Sequence, residues 1–292
     1  MKPSATVTDA ILGCIGRAQQ LYDVRLHGFV FMSNHYHMLA TADDAKQLAQ
    51  FTGHINGNVA RELNRLNDSS GRVWQRRFRA VPVDGNERAQ LERLKYLISH
   101  GVKERIVKHV RDWTGASSVP WMLDGAEVAG HWHHRTAQYN DHQRGADRGD
   151  EFYRERIVLR FTPLPCFDAM AEGEWRSVVA AMAKEIEAEY EEARSQDGVS
   201  VLGMEVAEAM DSQHMPLRCA RSNAPLVHAV SCPARSRWRE EKKCRRSWYQ
   251  EASRRFRAGD WAAEFPPGVH RPGGRFVPLL DDDATNREMA AA

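Results

Sequence analysis

The stretch VRLHGFVFMSNHYHMLAT, residues 24–41, opens with an apolar run, turns at Ser33-Asn34 and returns. Val24 to Met32 has strand length, and Tyr36 to Thr41 reads as the strand coming back, which makes the segment a β-hairpin. Side chains alternate along a strand. His35 and His37 therefore project to one face about 7 Å apart, with Tyr36 on the other. Two imidazoles so placed can grip one metal ion. A His-x-His tripeptide also occurs as a pair of half-buried or surface histidines, so its meaning rests on what surrounds it.

Working outward, Asp9 to Tyr22 has the pattern of an amphipathic helix, carried by Ile11, Leu12, Ile15, Ala18, Leu21 and Tyr22. Ala45 to Leu66 is a second helix, with Leu48, Phe51, Ile55, Val59 and Leu63 at core-facing spacing. Phe78 to Asp84 reads as a strand. Arg88 to Val102 is helical again, with Leu91, Leu94, Leu97 and Ile98 on one face and Arg93, Tyr96, His100 and Lys103 on another. Tyr96 and His100 are i and i+4 neighbours, so one can ligate a metal while the other presents a phenol beside it. A surface Tyr and a helix-ending His before Gly101 would produce the same pattern. The order αββαβα implies an α+β fold, an antiparallel sheet with helices packed on it.

Four motifs in this order carry a family resemblance. They are the hairpin with Met32-Ser33-Asn34-His35-Tyr36-His37, then Asn58-Val59-Ala60-Arg61-Glu62-Leu63-Asn64, then Gly71-Arg72-Val73-Trp74-Gln75-Arg76-Arg77-Phe78, and Tyr96 in a helix followed by Ala116-Ser117-Ser118. Over about residues 9 to 122 the chain resembles the REP-associated tyrosine transposases, in the single-tyrosine branch of the HUH endonuclease superfamily (IS200-like transposases). The resemblance implies a ferredoxin-like sheet and an enzyme that cuts and rejoins single-stranded or hairpin DNA through a covalent 5′-phosphotyrosine. It makes Tyr96 the nucleophile, His35 and His37 the ligands of Mg²⁺ or Mn²⁺, and His100 the third ligand. The family commonly carries an Asn-Pro pair where this chain has His100-Gly101. Imidazole is a good ligand for Mn²⁺ and a better one for Zn²⁺, so the change bears on metal preference. The family also begins with a strand before the first helix, lying centrally in the sheet, and Met1 to Thr8 is too short and polar to supply it.

The chemistry of these groups is coherent without the family. Charge building on a phosphodiester under in-line attack needs a divalent cation as Lewis acid and template. A phenol of pKa about 10 is a poor nucleophile until a nearby cation favours phenolate. A covalent link to Tyr96 conserves the energy of the broken ester, so rejoining needs no ATP. Asn58, Arg61, Asn64, Arg72, Arg76, Arg77, Arg79 and Lys103 are the candidate DNA-binding residues, chiefly through phosphate contacts.

At 292 residues the chain has room for two domains, and a net charge of +2 makes any basic surface local rather than global. No stretch approaches a membrane span, Met1 to Thr8 lacks a signal-peptide pattern, and Cys14, Cys166, Cys219, Cys232 and Cys244 form no CxxC pair. A cytoplasmic protein with reduced thiols and no membrane partner is the expectation.

The expected organisation is a catalytic region over 1–124, incomplete at its N-terminus, a linker over 125–150, an α-rich accessory region over 151–276 and a disordered tail over 277–292. His131-Trp132-His133-His134 falls in the linker and reads as a solvated loop. Ile157 to Phe161 looks like a short strand. Trp175, Val178, Val179, Met182, Ile186 and Tyr190 stripe a helix whose other face is acidic. From Leu217 to Phe276 there are 14 Lys or Arg against 5 Asp or Glu, interleaved with Trp238, Trp248, Tyr249 and Phe256. Those aromatics either stack on bases or bury against the domain.

The leading reading is a metal-dependent single-strand DNA transesterase, with room for a homodimer. Its rival is a domesticated DNA-hairpin-binding protein that no longer cuts. A hydrolase of small phosphoesters, with Tyr96 only packing, leaves the arginines at 72, 76, 77 and 79 without a role.

Overall fold

A computed structural model describes residues 1–146, 148–210 and 225–277. Its elements are α1 (Ala5–Leu21), β1 (Arg25–Phe31), β2 (Tyr36–Thr41), α2 (Ala45–Leu66), α3 (Glu87–Ile98), α4 (His100–Lys103), α5 (Val119–Asp124), β3 (Ala129–His133), α6 (Arg135–Gln143), β4 (Arg154–Val158), α7 (Glu172–Asp197), α8 (Met204–Ala209) and α9 (Cys232–Arg257). The fold is α+β, and its described strands form two antiparallel pairs, β1–β2 and β3–β4.

The hairpin forms as its sequence implies, with Phe31 opposite Tyr36 and Val30 opposite His37. Alternation then sorts its side chains into two cores. Phe29 and Phe31, with Tyr36, Met38 and Ala40, face Ile11, Ile15, Phe51, Ile55 and Val59 of α1 and α2. Val30 and Met32, with Leu39, face Leu94, Leu97 and Ile98 of α3 and Val179, Met182 and Ile186 of α7. The hairpin is thus sandwiched between helices, and α7 shares a core with the helix carrying Tyr96. Helix α2 starts where Asp44 accepts a hydrogen bond from the Gln47 amide at 2.7 Å, and Asn86 caps α3 by accepting from Ala89 N at 3.4 Å.

The outer edge of β1 is covered by irregular chain. Phe31 N donates to Ala116 O, Ser118 N to Phe29 O, and Thr162 N to Leu26 O. His27 sits at a bulge in β1, buried, bonded to the Thr162 and Pro163 carbonyls and to Thr41 Oγ1. The outer edge of β2 has no backbone partner among the described residues. That is the edge on which a further strand of the sheet would lie.

Four expectations need correction. Residues 78–84 do not form a strand, because no described segment offers them a ladder; Val83 alone makes a parallel bridge, to His228. The helix expected over 88–102 breaks at Ser99 into α3 and α4. Helix α1 begins at Ala5, earlier than Asp9, because Ser4 caps it. The stretch 125–150 is not an irregular linker: it contains β3 and α6, and His131-Trp132-His133 lie on a strand, not in a solvated loop.

The reason is a close backbone approach. A Cβ on Gly13 would lie 1.9 Å from the His131 carbonyl oxygen, and one on Gly130 would lie 2.6 Å from Asp9 O. Glycines on both sides let β3 lie directly against α1. The expectation of a disordered tail falls on residues 278–292 beyond Val277, outside the described residues, as does Cys219. The other four cysteines are free. No described helix is long and apolar enough to cross a membrane.

Candidate metal and tyrosine site

The turn before β2 and the pleat of β2 put His35 and His37 on the face that α3 covers, with their ring centroids 5.1 Å apart. Tyr36 points to the opposite face and stacks on Phe31 at 4.6 Å. His100, the residue after the break at Ser99, is buried, only 1% exposed. Its ring centroid is 4.2 Å from that of His37 and 5.4 Å from that of His35. The ligand nitrogens of the three histidines all lie within 4.8 Å of one another, the grouping able to hold a metal ion among the described residues.

Hydrogen bonds orient two of the three rings. His100 Nδ1 donates to Tyr96 O at 2.8 Å and His35 Nδ1 lies 2.6 Å from Asn34 Oδ1, leaving both Nε2 atoms as free lone pairs. Burial, reinforced by the neighbouring imidazoles and Lys103, lowers the pKa of His37 to about 3. Burial lowers that of His100 to about 4, with His35 and Lys103 adding to the effect, and burial lowers that of His35 as well. Neutral imidazoles at pH 7 are the ligating form, so the donor set fits a divalent cation without a proton having to be displaced.

Tyr96 closes the group. Its ring centroid is 5.2 Å from that of His37 and 4.6 Å from that of His100. Lys103 Nζ sits 4.5 Å from the phenol centroid and the Arg93 guanidinium 5.2 Å, so two cations flank the ring. Lys103 is also 3.7 Å from Glu104. Arg93, one turn before Tyr96, stood on the polar face read from the sequence but was not singled out there as a site residue.

The other candidates separate into two groups. Arg72, Arg76, Arg77 and Arg79 are exposed and make no ion pair or hydrogen bond among the described residues. Their loop is fastened to α2 by Trp74, whose Nε1 donates to Asn56 O at 2.8 Å and whose ring meets Tyr36 at 5.6 Å. Trp74 is a positioning residue that composition alone did not distinguish; a single indole inside an arginine run was its signal. Asn58, Arg61 and Asn64 are already engaged. Arg61 donates to Asn58 Oδ1 at 3.0 Å, and Asn64 donates to Gly71 O at 3.0 Å, tying down the start of the arginine loop.

Of the aromatics in the basic C-terminal helix, Tyr249 and Phe256 pack on Phe265 at 5.6 and 5.8 Å and are half-buried, whereas Trp248 is exposed.

No curated protein and no solved structure matches the chain. Residues 4–100 match the family described as IS200-like transposase. The match runs from the N-cap of α1 to the third histidine and includes His35, His37 and Tyr96. By that match, the region that builds the hairpin and the three-histidine site is similar to the IS200-like transposase family.

Proposed function

We propose that the protein is a metal-dependent single-strand DNA endonuclease and transesterase that works through a phosphotyrosine at Tyr96. The observation that carries this reading is the contact of the Tyr96 phenol with two of three clustered, neutral histidines, between the side chains of Arg93 and Lys103. His35, His37 and His100 would hold Mg²⁺ or Mn²⁺, which when bound supplies Lewis-acid stabilisation of charge on the phosphate oxygens. Arg93 and Lys103, beside the Tyr96 ring, neutralise the charge of the approaching diester. The Tyr96 oxygen attacks phosphorus, the P–O3′ bond breaks, and the released 3′ oxygen ends with the proton the phenol gave up. Attack by that 3′ hydroxyl, or another, on the phosphotyrosine reverses the step and restores Tyr96. The exposed arginines of residues 72–79 hold the flanking phosphates and thereby set where the strand lies.

A second reading has its own observation. The unpaired edge of β2 runs beside His37, and a protein so built could keep DNA-hairpin binding without cutting. Incubation of labelled single-stranded hairpin DNA with protein and Mn²⁺ separates the two. A denaturant-resistant adduct, lost with chelator and lost in Tyr96→Phe while hairpin binding persists, supports the transesterase. Binding with no adduct supports the hairpin binder, and an adduct that survives Tyr96→Phe assigns the nucleophile elsewhere.

A further inference from the structure

Helix α9 runs for 26 residues, and only Ala234, Ala252 and Ser253 of it are buried. It carries ten Lys or Arg against three Glu. A helix this polar is not held by a buried stripe of its own; contacts near its ends fix it. Its aromatics are committed to those contacts. Trp238 Nε1 lies 3.4 Å from Asp84 Oδ1, Trp248 donates to Glu264 O at 3.0 Å, and Tyr249 donates to His270 O at 3.1 Å.

What remains outward, apart from Trp248, is mainly charge. Arg235, Arg239, Lys242 and Arg246 follow i, i+4, i+7, i+11 spacing and form one stripe. All four are exposed, and none has a carboxylate partner among the described residues, whereas Arg237, Lys243, Arg254 and Arg255 do. At 1.5 Å per residue the stripe is roughly 17 Å long.

Its placement relates it to Tyr96. Just before α9, His228 N donates to Pro82 O and Asp84 N donates to His228 O, each at 2.9 Å. Pro82 to Asp84 is where the loop of exposed arginines ends and the approach to Asn86, the cap of the Tyr96 helix, begins. His228 is close enough to Arg93 for that charge, after burial, to lower its pKa. The arginine loop and the start of α9 are therefore both tied to the segment that leads into α3.

We propose that the Arg235, Arg239, Lys242 and Arg246 stripe of α9 binds the phosphates of double-stranded DNA flanking the strand held at Tyr96. The proposal rests on the reading of the site given above. Four cations over roughly 17 Å lie alongside about five phosphates of one strand, at a rise of about 3.4 Å per phosphate along the duplex axis, in a contact that positions DNA without reading sequence. Duplex is favoured over single strand because single-strand surfaces pair cations with aromatic stacking platforms, whereas Trp238, Tyr249 and Phe256 are engaged in packing or hydrogen bonds and the one exposed aromatic of α9, Trp248, lies on the opposite side of the helix from the stripe.

The test uses the full chain and two probes, a short hairpin oligonucleotide and the same hairpin extended by a duplex arm of about ten base pairs. The arm should raise wild-type affinity. In the variant R235Q/R239Q/K242Q/R246Q the slope of log affinity against log salt should fall by about 3 to 4 on the armed probe, at about 0.9 per phosphate neutralised. The short probe should be bound, and joined to Tyr96, as before. The variant R235K/R239K/R246K, with charge kept, should retain the wild-type slope. An unchanged slope on the armed probe, or an equal loss on both probes, overturns the assignment of α9 while leaving adduct formation to speak for the site. A wild-type protein that binds neither probe and forms no adduct overturns both.

Discussion

The imidazole of His100 donates its Nδ1 hydrogen to the main-chain carbonyl of Tyr96 across 2.8 Å, one turn back along the chain. This bond ties the third candidate ligand to the residue that presents the phenol. It fixes the tautomer that leaves Nε2 for a cation, and it holds the candidate ligand beside the candidate nucleophile.

Removing that ring should cost metal affinity. His100→Ala is expected to weaken Mn²⁺ binding by more than the ~10–100-fold that loss of an outer-shell partner typically costs. Wild type should follow the order Zn²⁺ over Mn²⁺ over Mg²⁺, as an all-imidazole set dictates, and His100→Asn should narrow that spread. Isothermal titration of each ion into the three proteins measures both effects; affinities indifferent to residue 100 would remove it from the site.

Arg76 and Arg77 are exposed and have no ion-pair partner among the described residues, so their charge is available to phosphate. Changing both to Gln should reduce the salt slope of hairpin binding by about 1.4 to 1.8, from two contacts at ~0.7–0.9 each. Binding measured from low to moderate salt reads the slope directly. If the slope does not change, the loop is ordinary solvated surface.

His27 gives a pH dependence. It is 4% exposed, and burial, the largest cause, lowers its pKa from the usual value near 6.5. Above that value neither the folded nor the unfolded chain holds the proton. As pH falls through about 6.5 the unfolded chain takes up a proton that the folded one refuses, so stability declines until the folded value is reached. Urea unfolding at pH 8 and pH 5 should show this loss in wild type and a smaller one in His27→Gln; equal losses would place the titration elsewhere.

Gly13→Ala should destabilise the protein by at least the ~1–3 kcal/mol of ordinary overpacking. The added methyl would meet the main chain of His131 at 1.9 Å, and a carbonyl cannot rotate out of the way as a side chain can. Denaturant titration supplies the number. Gly53→Ala, at an open position on α2, is the control and should not destabilise.

The hairpin, both histidines, α2 and the helix of Tyr96 were legible in the chain because each rests on local rules. Alternation over residues 24–41 put His35 and His37 on one face whatever they pack against. Asp44 and Asn86 mark their helix starts by their own side chains. The spacing of Tyr96 and His100 carried the i, i+4 relation, even though the helix breaks between them. What the sequence could not state were relations between distant segments. Residues 78–84 have strand composition but no partner edge, and a strand exists only where a ladder accepts it. His131 to His133 look like polar loop and become strand because Gly13 and Gly130 admit β3 against α1. Trp74, Arg93 and Lys103 are placed by what they touch, and the pairing of Pro82–Asp84 with His228, just before α9, is a contact almost 150 residues apart in sequence. Local periodicity is a property of neighbouring residues; which faces and edges meet is set by packing over the whole chain.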